Sequence, residues 1–308
     1  MEITLLLIEQ IVVLFLMMGC GYLLVKAGKA KTSDSHILSV LCVNLITPLV
    51  IINAFQVDYS DEIRNGFLLA LFAAVLISIF LVITVEVLGR VFKLNGVEKA
   101  SLGYSNAGNL IIPLVTSILG PEWVIYASAF MMVQLLFIWT HGQSCLLEET
   151  KFDLKKIITN LNIISIFVGV ILFVFQLKLP GVVGTAVKNI SGMIGPISMI
   201  MLGMIFAGTD LKKVFTNKKI YLVVFLKMIV TPTIIILAVK YSGMANWVSN
   251  GVTVLFISIL ATTTPSATTI TQLAQLYNRQ PDYAAAINIA TTIVCLVTMP
   301  LMTMLYYL

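Results

Sequence analysis

Ten apolar stretches follow one another along the chain, each near the length that crosses a bilayer. They lie at about 4–25, 37–56, 67–92, 99–119, 123–144, 161–178, 184–207, 220–240, 249–276 and 283–306. A helix of roughly 20 residues spans a hydrocarbon core of about 30 Å. Lipid offers no hydrogen bonds, so a segment that crosses it must pair its own backbone. The reading is therefore an all-α polytopic membrane protein. Composition agrees: 59% of the 308 residues are hydrophobic and 11% are charged, against about 25% charged in a soluble domain. The longest polar connection, "LEETKFDLKKIITN", is too short for a soluble domain. In this setting a net charge of +5 signals loop placement, not a nucleic-acid partner. The N-terminal "MEITLLLIEQ" lacks the basic region and cleavage site of a signal peptide, so the first stretch is expected to stay as a span.

Lysine and arginine set the orientation. With both termini outside, the inside loops hold fourteen of them and the outside loops four. The bacterial plasma membrane is the expected location. Residues 1–150 and 151–308 then carry five spans each. An odd number per half requires the halves to have opposite orientation, the inverted-repeat arrangement of many secondary transporters. An offset of 158 lays Asn106 on Thr264 and Ala107 on Pro265, with poor residue identity elsewhere.

Spans four and nine each carry polar residues and helix breakers at their centres. The first reads "SNAGNLIIPLV" and the second "TTTPSATT". Proline lacks a donor and crowds the carbonyl four residues back. Pro113 is expected to free the carbonyl of Asn109, and Pro265 that of Ala261. Gly108 eases departure from helical geometry. Freed groups at mid-membrane depth must face protein or water. Interrupted helices also present N-termini that attract anions. The expected binding site is Asn106, Gly108, Asn109 and Pro113 with Thr263, Thr264, Pro265 and Ser266. The plainer reading of either stretch alone is a proline kink with polar side chains joining helices. Span two repeats the Asn-to-Pro spacing at Asn44 and Pro48, where Asn44 either lines the cavity or caps the kink. Gln134 in span five and Asn288 in span ten are expected in the cavity wall.

Charges inside spans are costly. Lys227, near the middle of span eight, reads either as a fixed cation drawing an anion or as filler of an ion position. Glu86 in span three is expected to pair with Arg90 one turn on, with proton carriage the sharper alternative. Asp282 suits the start of span ten. His141 reads as a packing residue, and the four scattered cysteines read as packed thiols without metal-ligand spacing. No catalytic or cofactor motif is present, so an enzyme is not expected. Coupling to H+ or Na+ is left open.

Asn44 to Pro48, "SNAGNLIIPLV", "KMIVTP", "TTTPSATT" and "AAAINIATTIVCLVTMP", in that order, resemble the auxin efflux carrier family, which includes plant PIN-type carriers and bacterial organic-acid permeases. The resemblance implies a bile-acid symporter or sodium-proton antiporter-like fold with spans four and nine crossing. It implies a scaffold of spans one, two, six and seven, a transport domain of the other six, and a homodimer. Leu110 and Ile111 stand where the family often has glycines. The function it implies is secondary transport of a small organic anion, a malate-like mono- or dicarboxylate or an auxin-like acid, by alternating access. The rivals are a sodium-coupled symporter of bile-acid type and a non-transporting receptor using the same pocket.

Overall fold

The computed structural model describes residues 2–58, 60–147, 158–208 and 216–308, without the side chains of 2–8, 10, 11, 108, 109, 113, 275 and 276. The described residues are helical almost throughout. In chain order the helices are α1 (Glu2–Lys26), α2 (Thr32–Ala54), α3 (Asp61–Val91), α4 (Gly96–Gly103), α5 (107–118), α6 (Pro121–Leu147), α7 (Leu161–Val174), α8 (Gly181–Ala207), α9 (Lys218–Tyr241), α10 (Gly251–Thr262), α11 (Thr268–Leu276) and α12 (Pro281–Tyr307). By length and composition, α2, α3, α6, α8, α9 and α12 can each cross a membrane.

Helix ends fall where the sequence supplies caps. Ser60 accepts from the Ile63 amide at the start of α3, and Asn95 and Glu98 cap one another's backbone at the start of α4. Each cap pairs donors that the first helical turn leaves free. Asp282 lies in the first turn of α12, where its charge suits the helix dipole.

Close packing between helices rests on missing side chains. A Cβ at Gly203 of α8 would lie 1.8 Å from the Met18 carbonyl oxygen of α1, and one at Gly21 would lie 2.0 Å from that of Ile200. Small residues let backbones touch where lipid supplies no hydrophobic drive to associate. Elsewhere α2 packs on α7, α3 on α6 and α10, and α12 on α9 and α11. Large apolar side chains such as Leu16, Phe167 and Val297 point outward, as a lipid-facing surface requires.

The prolines act in two ways. At Pro48, Pro113 and Pro232 the helix continues, but the turn before each widens to π geometry, at Cys42–Ile46, Ala107–Ile111 and Leu226–Val230. Proline's ring cannot sit against the carbonyl four residues back, and the widened turn moves that carbonyl aside. Thr231, just before Pro232, donates to the carbonyls of Leu226 and Lys227, both at 3.1 Å. Pro265, by contrast, lies in a stretch with no helix at all, between α10 and α11.

Candidate functional site: two paired helix breaks

The helical chain is interrupted at 104–106 and again at 263–267. The two interruptions meet. Ser105 and Ser266 form an isolated antiparallel bridge. The Asn106 amide donates to the Pro265 carbonyl at 2.9 Å, and the Ala267 amide donates to the Tyr104 carbonyl at 3.0 Å. The pairing is antiparallel, so Tyr104 faces Ala267 and Asn106 faces Pro265 across the bridge.

Each bridging serine is held by a neighbouring helix. The Gln134 side chain accepts from the Ser105 amide at 3.1 Å and donates to the Ser105 carbonyl at 2.7 Å. On the other side, Asn288 donates to the Ser266 carbonyl at 2.6 Å, and the Thr291 hydroxyl accepts from the Ser266 amide at 3.1 Å. Gln134 and Asn288 therefore complete backbone pairing, a task that the cavity-wall reading did not include. Thr291 and Ser105 were not singled out from sequence. Their signal was faint: a hydroxyl one turn from Asn288 and a serine just ahead of the first amide.

The last turn of α10 has more carbonyls than following amides; the Thr263 amide is shared between those of Ile259 and Leu260, both at 3.2 Å. Thr262, Thr263 and Thr264 donate their hydroxyls to the carbonyls of Ile259, Leu260 and Ala261, at 2.7, 2.8 and 2.8 Å. The carbonyl of Ala261, freed by Pro265, is thus paired by Thr264. The hydroxyl protons of Thr263 and Thr264 are committed to their own helix.

Lys227 is 1% exposed. Its ammonium donates to the Ser105 hydroxyl at 2.8 Å, and it forms no ion pair among the described residues. A long cationic side chain normally reaches for water. Here the π turn at Leu226–Val230 aims it inward at the first break.

A cavity of about 120 Å³ opens beside the bridge, lined by residues from five helices and both breaks. Ser105, Asn106, Gln134, Thr268 and Thr269 supply its polar wall, with Asn160, Asn162 and Gln272. Asn106 accepts from the Thr268 hydroxyl at 3.5 Å. Among buried polar atoms, Trp139 Nε1 and Asn162 Oδ1, both on lining residues, have no partner. A second cavity, of about 330 Å³, lies on the other face of α11 and is lined by Thr32, Ser35, His36, Ser39 and Asn288 among others. Thr268 and Gln272 line both, and Gln272 donates to Ser39 at 2.9 Å.

The structure brings Asn106, Gln134, Pro265, Ser266 and Lys227 together around the bridge. Asn44 is exposed, and Val43 and Thr47 face the cavity from α2 in its place. The side chains of Gly108, Asn109 and Pro113 lie outside the described residues. Glu86 stands apart from the bridge and does not use Arg90. Its two oxygens take Lys99 at 3.0 Å and His141 at 3.2 Å. The start of α4 brings Lys99 alongside α3, a tertiary approach that one-turn spacing could not reveal.

A family model described as "Membrane transport protein" matches residues 6–151 and 145–303. The chain belongs to that family. The resemblance to auxin efflux carriers agrees with this match, and the protein is an integral membrane transporter. No curated protein matches it.

Proposed function

We propose that this protein is a secondary carrier of a small organic anion, with the substrate held at the crossing of the two broken segments. The observation that carries the reading is the polar cavity beside the Ser105–Ser266 bridge, next to the buried Lys227 side chain, which has no carboxylate partner among the described residues. Helix N-termini favour anions, and the first residues of α11, Thr268 and Thr269, line the cavity. Lys227 adds positive charge through Ser105. A cavity of about 120 Å³ is well above what a single water needs, as a site for a small organic anion requires.

Alternating access follows from the same parts. In this reading α1, α2, α7 and α8 form the scaffold, and the remaining helices carry the site. The larger cavity is the way out on the lysine-rich side, taken as the inside. The Gln272–Ser39 hydrogen bond ties the moving part to the scaffold and must break in each cycle. A sodium-coupled symporter is the main rival. Lys227 counts against it, because its side chain already occupies the crossing at the Ser105 hydroxyl.

The test is uptake of labelled short carboxylates into proteoliposomes, with and without a sodium gradient. The expected outcome is saturable, sodium-independent uptake that falls at least about tenfold in Lys227→Met, equivalent to ~1.4 kcal/mol of lost interaction. Uptake in that variant at the wild-type rate and affinity would remove the cation from the mechanism.

A further inference from the structure

Away from the crossing, three ligand-type side chains converge at the lysine-rich end of the bundle. Glu86 comes from α3, and His141 and Cys145 come from α6. One ligand atom from each lies within 4.8 Å of the other two. His141 Nε2 is 3.2 Å from Glu86 Oε1, and Cys145 Sγ is 3.6 Å from His141 Nε2. Donors around a tetrahedral zinc ion, with bonds of about 2.0–2.3 Å, sit about 3.3–3.7 Å apart.

The hydrogen bonds around His141 define what this gap needs. Tyr104 Oη lies 2.9 Å from the Phe137 carbonyl and 2.8 Å from His141 Nδ1. A carbonyl only accepts, so the tyrosine proton goes to Phe137. His141 Nδ1 must then carry a hydrogen and donate it to the tyrosine oxygen. In the neutral ring this leaves the Nε2 lone pair aimed at a carboxylate oxygen. Two acceptors in that position call for a cation between them. An imidazole whose far nitrogen is held by a hydrogen bond is also the usual state of a metal-ligating histidine. Glu86 Oε2 is kept by Lys99 at 3.0 Å, which orients the carboxylate and leaves Oε1 facing His141 Nε2 at 3.2 Å.

A proton alone would complete the Glu86–His141 pair, but it would have no use for the thiol. The cluster also opens on a cavity of about 440 Å³ lined by Glu86, Lys99, His141 and Cys145, which gives an ion entry and leaves room for water as a fourth ligand. His141 sits in a π turn, Ile138–Gly142, that no proline explains, and such turns collect at functional sites.

We propose that Glu86, His141 and Cys145 bind one divalent ion of the zinc class, reached from the lysine-rich side. The ion would act on the crossing through Tyr104, whose ring is held by His141 and whose carbonyl pairs with Ala267 in the bridge.

The experiment uses full-length, tag-free, reduced and chelator-treated protein in detergent, titrated with Co2+ and then Zn2+. The expected result is one equivalent of Co2+ giving a thiolate-to-cobalt charge-transfer band that Zn2+ abolishes. Cys145→Ser should remove the band, and Glu86→Gln and His141→Gln should each weaken binding at least tenfold. Cys20→Ser and His36→Gln should leave it unchanged. If Cys145→Ser does not fold, Zn2+ must instead slow alkylation of Cys145 in the wild-type protein, read by peptide mass. Absence of the band in folded wild-type protein overturns the site and leaves a proton as the cation. A band that survives Cys145→Ser, or alkylation of Cys145 unaffected by Zn2+, also overturns it.

Discussion

The two breaks solve one problem with different chemistry. Each exposes a short extended stretch, and each has a bridging serine whose amide and carbonyl need partners. The first break is served by Gln134, which takes both groups of Ser105, by the Ala107 amide on the Ser105 carbonyl, and by Lys227 on the Ser105 hydroxyl. The second is served by neutral groups only: Asn288 and Thr291 on Ser266, and three threonines on the carbonyls before it. Both sides therefore keep one serine backbone group paired without the amide side chain, and what differs is Lys227, present on the first side alone.

That contrast can be broken most directly at Gln134. Gln134→Leu leaves the Ser105 amide without a partner, while the Ala107 amide still reaches the Ser105 carbonyl at 2.8 Å, and a buried orphan costs about 1–3 kcal/mol. The expected loss is of that size, read as a lower midpoint in denaturant or thermal unfolding in detergent. A loss no larger than that of a lipid-facing substitution such as Leu16→Ala would mean that the first break tolerates an unpaired backbone. Asn288→Leu should cost a similar amount, because it also leaves one group unpaired, the Ser266 carbonyl, while Thr291 still holds the Ser266 amide. A cost several times that of Gln134→Leu would mean that the two sides are not equally supported. The smallest effect should come from Thr264→Val. It frees one carbonyl in a turn with two other threonine bonds, and membrane hydrogen bonds average about 0.6 kcal/mol. Thr264→Val should leave uptake near wild type; a large loss of flux there would show that this hydroxyl serves substrate as well as its helix.

The same comparison explains which parts were legible in sequence. A proline with amides or threonines around it announces freed carbonyls, so both breaks could be located. Span-length apolar runs announced the helices, because lipid permits little else. Asn44, open between cavity wall and kink cap because its spacing to Pro48 matches that of Asn109 to Pro113, is exposed and does not line the cavity. Spacing along a helix does not say which way the helix faces, and α2 turns Val43 and Thr47 inward instead. Glu86 misled for a related reason: a partner one turn away is visible in sequence, and Lys99, brought alongside by the fold, is not. The roles of Gln134 and Asn288 were half legible. A buried amide must pair with something, but its partner, a serine backbone in another span, has no local signature.

What the sequence determined by itself was the solvent of this protein and the places where its helices must yield. Both follow from local chemistry: apolar length against bilayer thickness, and proline against the helical ladder. The tertiary structure alone decided that the two yielding points meet at Ser105 and Ser266, that Lys227 turns toward one of them, and that Glu86, His141 and Cys145 converge elsewhere. These are contacts between residues far apart in the chain, set by how helices pack, and no local rule encodes them.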